Sequence, residues 1–109
     1  MLISSKLTNV EATAALARMR RAGRSDDRSN LERTSSWERL WGAIGAVAVD
    51  ALVIERALGV ARSHGLRGYD AVQLASALCV DGRPAFLSFG VELNAAARAE
   101  GLTVLGPLA

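Results

Sequence analysis

The sequence predicts an α/β fold in which a short parallel sheet is flanked by helices. Two observations carry this. Short apolar runs at Ala46–Val49, Ala85–Ser88 and Thr103–Leu105 alternate with longer segments whose apolar residues recur at helical spacing. Strands separated by helices return in the same direction through right-handed crossovers, which makes the sheet parallel. The length of 109 residues fits a single domain, which at that size buries roughly 65% of its unfolded surface and builds one modest core.

Taken in order, Leu2-Ile3-Ser4 is at most a short strand or a loop. Thr8 opens a helix with Glu11 three residues on, the spacing of a capping box. Leu7, Val10, Ala14 and Ala17 keep helical spacing to about Arg21, and Gly23 ends the helix. Arg24 to Asn30 is polar and turn-like. A second helix is expected from about Leu31 to Ala43, with Trp37 and Trp41 one turn apart on one face. The tryptophans read as a packing pair, with a dimer or partner contact as the second reading and nucleic-acid stacking as the third. Ala46–Val49 suits a buried strand, and Asp50 caps the helix that follows, about 51 to 63, which stops at Gly65. Ala71 to Val80 is apolar nearly all round, broken only by Gln73 and Ser76, so it must be covered on several sides. Asp81-Gly82-Arg83-Pro84 is a turn, Ala85–Ser88 a strand, Glu92–Glu100 a helix ended by Gly101, and Thr103–Leu105 the last strand.

Composition narrows the function classes. Hydrophobic residues make up 50% of the chain, much of it alanine, and aromatics only 5%, which favours closely packed helices over a bulky aromatic core. Charged residues at 22% are ordinary, so disorder is not the default. A net charge of +2 and a pI near 9.3 are too small to imply nucleic acid by themselves. Arg18, Arg20, Arg21 and Arg24, however, fall within seven positions. Such a cluster suits phosphate contact, or equally a solvated helix end whose cations favour the dipole. Cys79 is the one cysteine; it excludes an internal disulfide or a cysteine-rich zinc site and reads as a small core residue. No run approaches the ~18 apolar residues of a membrane span. The first residues lack a signal peptide's basic region and apolar core, so a reducing cytoplasm is the simplest compartment. His64, the single histidine, has no partner for a zinc site, and Gly42-Ala43-Ile44-Gly45 lacks the spacing of a phosphate loop.

Asp70 stands at the start of a helix with almost no polar face. In open α/β sheets, strand ends and adjoining helix starts gather into the ligand crevice. Its bland alternative is a favourable interaction with the helix dipole, as Glu11's is the capping box.

The stretch Leu66-Arg67-Gly68-Tyr69-Asp70-Ala71-Val72-Gln73-Leu74-Ala75-Ser76-Ala77-Leu78 resembles the most recognisable segment of VapC-like PIN domains, the ribonuclease toxins of type II toxin–antitoxin pairs. Ser5-Lys6-Leu7-Thr8-Asn9-Val10-Glu11 and Phe86-Leu87-Ser88-Phe89-Gly90-Val91-Glu92-Leu93-Asn94-Ala95-Ala96-Ala97 resemble two further family segments in order and spacing. The resemblance implies a PIN-like fold and cleavage of RNA phosphodiesters by metal-activated water. It makes Glu11 and Asp70 ligands of Mg²⁺ or Mn²⁺, hard cations that prefer oxygen donors. Ser88 and Arg67 are supporting candidates, through a hydroxyl and a phosphate-directed guanidinium; the bland role of Ser88 is to end a strand.

Two departures from the family matter. The family's first strand, which bears an aspartate, and the helices after it belong upstream of this chain's opening segment, so an incomplete domain lacking that strand is expected. The usual last aspartate is Gly90 here, leaving two of four acidic groups. Glu92, about 200° further round its helix, is expected to face solvent. Weakened or absent catalysis follows, and the alternative is a non-catalytic PIN remnant that binds an antitoxin or another PIN subunit. The implied partners are RNA, a cognate antitoxin protein and, because a shortened sheet and the Trp37/Trp41 face need cover, a second copy in a homodimer.

Overall fold

A computed structural model describes residues 3–82 and 84–105. Leu2 of the opening segment and Arg83 of the central turn lie outside them. The elements are β1 (Ile3–Ser5), α1 (Leu7–Arg21), α2 (Asp27–Gly42), β2 (Gly45–Val47), α3 (Ala51–His64), α4 (Gly68–Leu78) and α5 (Val91–Ala99). The fold is α/β with a short parallel sheet, as the alternation of runs predicts. The chain forms two compact units, Met1–Val47 and Ala48–Ala109.

In the first unit β1 pairs in parallel with β2, Ile3 opposite Gly45 and Ser5 opposite Val47. The opening segment is therefore a strand, and Lys6 N–H extends the pairing by donating to the Val47 carbonyl (2.9 Å). The second strand sits earlier than expected and ends at Val47, because Asp50 is committed to capping α3, its carboxylate accepting from Val53 N–H at 3.0 Å.

Two helix starts also differ from the sequence reading. The capping box is not formed: α1 begins before Thr8, and the Ser5 hydroxyl, at the end of β1, accepts from Leu7 N–H (3.1 Å). α2 begins four residues before the expected Leu31, because Asp26 supplies the cap by accepting from Ser29 N–H (2.7 Å). That bond holds the Asp26 carboxyl below its ordinary range. A lowered folded value means the cap's contribution is complete above the usual carboxylate range and disappears only as pH falls through the lowered value. Trp37 and Trp41 do form the packing pair, stacked with centroids 5.8 Å apart and planes at 29°. Trp37 Nε1 donates to Asn9 Oδ1 across the α1–α2 hairpin (2.8 Å).

Among the described residues, the buried apolar ones all belong to the second unit. They are Val53, Ala57 and Val60 of α3, Ala71, Leu74 and Ala75 of α4, Leu93, Ala96 and Ala97 of α5, with Leu66, Phe86 and Leu102. Five of these twelve are alanine, so the helices approach closely, as the composition suggests. α4 is packed against both α3 and α5, the cover that its apolar sequence requires. Its one buried hydroxyl, Ser76, donates to the Val72 carbonyl (2.8 Å). α3 ends at Gly65, whose φ of 65° is left-handed and open to glycine at little cost.

The last two expected strands shrink to one parallel bridge between Phe86 and Val104. Phe86 N–H donates to Thr103 (2.7 Å), and Leu105 N–H donates to Phe86 (2.8 Å). Pro84 offers no N–H upstream, and beyond Leu87 the chain turns into α5. Cys79 is exposed, against the reading of it as a core residue. α4 ends at Leu78, so position 79 caps the helix beyond its buried stripe. No described helix is long and apolar enough to cross a membrane.

Candidate active site

Asp70 occupies the third position of α4, half-buried, where free N–H groups and the helix dipole favour a negative charge. Among the described residues its carboxylate makes no hydrogen bond or ion pair, so its oxygens are open to a ligand. Arg67 is the N-cap residue of the same helix; its backbone is extended, and its side chain is exposed and does not cap. Arg67 thus stands at the start of the helix that carries Asp70.

Ser88 and Gly90 form a hydrogen-bonded turn into α5. The Ser88 hydroxyl accepts from Gly90 N–H (3.0 Å), and the Ser88 carbonyl accepts from the Asn94 amide (2.9 Å). Asn94 N–H in turn donates to the Gly90 carbonyl (2.9 Å). Asn94 is fully buried, at 0% exposure, and holds the turn from beneath. Its Oδ1 is buried without a partner among the described residues. The sequence reading missed this residue, although an amide on the apolar stripe of Leu93, Ala96 and Ala97 is a visible signal for one.

Gly90 has φ −82° and ψ 123° as the N-cap of α5 and provides no side-chain cap. A Cβ there would meet Leu93 Cβ at 3.5 Å and Ser88 Oγ at 3.6 Å, ordinary contacts. Neither backbone nor space demands glycine. Glu92 is exposed in the first turn of α5, matching its expected outward direction. His64 pairs through Nε2 with Glu100 Oε2 (2.8 Å), tying the end of α3 to the end of α5.

Glu11 lies on α1 in the first unit, exposed, with no hydrogen bond or ion pair among the described residues. With no capping box, no local structural role accounts for it. Among the described residues no three of His, Cys, Asp and Glu cluster closely enough to hold a metal ion. The chemistry of an open carboxylate such as that of Asp70 suits a hard cation such as Mg²⁺, which prefers oxygen donors and is ordinarily held by one or two protein carboxylates.

An α/β scaffold with parallel strand pairs and a carboxylate at the start of a buried helix is consistent with the PIN-like class. No family model matches the chain. Ribonuclease VapC45 of Mycobacterium tuberculosis (strain CDC 1551 / Oshkosh) and Ribonuclease VapC49 of Mycobacterium tuberculosis (strain ATCC 25618 / H37Rv) are each 43% identical to it over 81 residues. The match takes in 72% of this chain and 54% of each relative, so the chain spans about half the length of the curated relatives it matches. The chain belongs to the VapC-like PIN family.

Proposed function

We propose that this chain carries the scaffold of a VapC-type endoribonuclease whose Mg²⁺- or Mn²⁺-dependent cleavage is weakened by an incomplete acidic set. The observation that carries the reading is the unengaged, half-buried Asp70 carboxylate on α4, within a segment matching ribonuclease toxins. Glu11 and Asp70 would hold the ion. When bound, it supplies an acidified water and neutralises charge on the phosphate. In the reaction, water oxygen adds to phosphorus, the ester P–O bond breaks, and the departing oxygen takes a proton. Arg67 would meet the phosphate, and Ser88 would fix the turn into α5. Gly90 adds no carboxylate, so an ion would have few protein ligands to position its water. Misplacement of that kind costs about 10²-fold in rate.

The test is degradation of a structured RNA by the purified chain. Slow cleavage that needs Mg²⁺ or Mn²⁺ and stops with EDTA is expected. Gly90→Asp should not restore a fast rate, because one added acid does not by itself complete a preorganised centre. It should nevertheless stabilise the fold by about 0.5–1.5 kcal/mol, since aspartate caps α5 and restricts the unfolded chain. Fast, Asp70-dependent cleavage by the unmodified chain would sink the weakened-site reading.

Complete absence of metal-dependent cleavage, together with stable binding of a cognate antitoxin or another PIN subunit, would favour the non-catalytic alternative. We further propose self-association through the apolar residues that α3 leaves outward, Leu52, Ile54 and Leu58, at 71%, 44% and 51% exposure. Sedimentation at micromolar concentration should give a dimer, and Leu52→Glu/Leu58→Glu should give a monomer. A monomeric parent chain excludes it.

A further inference from the structure

The first unit carries eight Lys and Arg against five Asp and Glu, a net +3, while the second carries five against six, a net −1. The excess gathers at one place, the tip of the α1–α2 hairpin. Arg18, Arg20 and Arg21 lie in the last turn of α1, with Arg24 just beyond, and all four are exposed.

Each nearby acid already has a task. The Asp26 carboxylate caps α2 through Ser29 N–H, Asp27 pairs with Arg20, and Glu32 pairs with Arg28 (3.4 Å). Arg18, Arg21 and Arg24 are left without an acidic partner among the described residues. One cation at a helix C-terminus suffices to complement its dipole, so three unpaired ones exceed what the helix end needs.

The turn beneath them is fixed. Gly23 takes a left-handed φ of 71°. Arg24 N–H donates to Met19 (3.0 Å) and Gly23 N–H to Arg20 (3.2 Å), closing α1 in a Schellman arrangement. Ser25, which follows, is buried at 6% exposure. The arginines therefore project from an ordered backbone, which lowers the ordering cost of binding.

We propose that this tip is a docking site for RNA backbone phosphates, contacted by Arg18, Arg21 and Arg24. The choice of RNA over another polyanion rests on the ribonuclease reading above. Guanidinium forks match phosphate oxygens, and the tip would grip the strand without regard to sequence.

The test is binding of a fluorescent oligouridine in EDTA, which separates binding from cleavage, over about 50–200 mM salt. Each phosphate contact on a single strand contributes about 0.7 to the slope of log affinity against log salt. Arg18→Gln/Arg21→Gln/Arg24→Gln should lower that slope by about 2, so the parent loses about 15-fold more affinity than the variant across the series. Arg18→Lys/Arg21→Lys/Arg24→Lys should keep the slope. So should Arg39→Gln/Arg62→Gln/Arg98→Gln, which removes equal charge elsewhere.

An unchanged slope in the first variant overturns the proposal, as does an equal loss in the third. An oligoglutamate that binds more tightly than oligouridine, with the same arginine dependence, makes the tip a protein-docking surface instead. A parent chain that binds no RNA in EDTA refutes the docking site, while the EDTA-sensitive cleavage assay judges the ribonuclease reading separately.

Discussion

Asp70→Asn is expected to lower metal-dependent RNA cleavage by about 100-fold or more while leaving the fold intact. The substitution preserves shape and removes one charge. The carboxylate has no hydrogen bond or ion pair among the described residues, so little native structure depends on it. Its stability effect should stay within about 0.5 kcal/mol, or a shift in Tm of about 2–4 °C. A metal centre is far less tolerant, because losing one ligand weakens the ion's hold and misplaces its water. Glu11→Gln should have a similar effect on cleavage. If the two residues hold one ion, the double variant should be scarcely slower than either single one, since groups that act as a unit are not additive. Mn²⁺ binding followed by calorimetry gives a second readout. Equal Mn²⁺ affinity in parent and Asp70→Asn would remove Asp70 from the metal site, and a fully additive double variant would separate the two carboxylates.

Leu74→Ala is expected to cost about 3 kcal/mol and to lower Tm by about 12–20 °C. Leu74 is at 0% exposure and is the largest fully buried side chain among the described residues. It belongs to α4, which is packed on α3 and α5. Its neighbours on the stripe, Ala71 and Ala75, are already at minimal size, so little side chain can swing in to fill the space, and the cavity persists. The same helix carries Asp70 in its first turn. Loosening it should therefore also reduce any Asp70-dependent cleavage, whereas Leu74→Met should leave both nearly unchanged. Thermal unfolding followed by circular dichroism distinguishes these outcomes. A fall in Tm under about 4 °C for Leu74→Ala would mean that the helix is not the keystone of this unit.

Much of the fold was legible in local chemistry. α3 was readable because Asp50 and Gly65 mark its ends and because capping acts within three residues. The tryptophan pair was readable because residues one helical turn apart share a face. The parallel direction of the strands followed from the helices between them. The misreadings share a cause, which is competition between groups that are each able to do the job. Thr8 and Glu11 had the spacing of a capping box, yet α1 begins at Leu7 with Lys6 as its N-cap, so Thr8 lies inside the helix and not at its cap. Arg24–Asn30 looked like a turn because its residues are polar, yet Asp26 started a helix within it.

By itself the sequence determined the α/β class, the family and which carboxylates are candidates for a metal site. Periodicity, turn chemistry and motif order are properties of neighbouring residues. The tertiary structure decided matters that depend on what packs where. It buried the apolar face of the second unit and left Leu52, Ile54 and Leu58 of α3 outward. It exposed Cys79 one position beyond the end of α4, and set Asn94 beneath the Ser88–Gly90 turn. It also showed that Gly90 is in no way required by its backbone or its neighbours. Burial and hydrogen-bond partners join residues distant in the chain, so no window of sequence contains them.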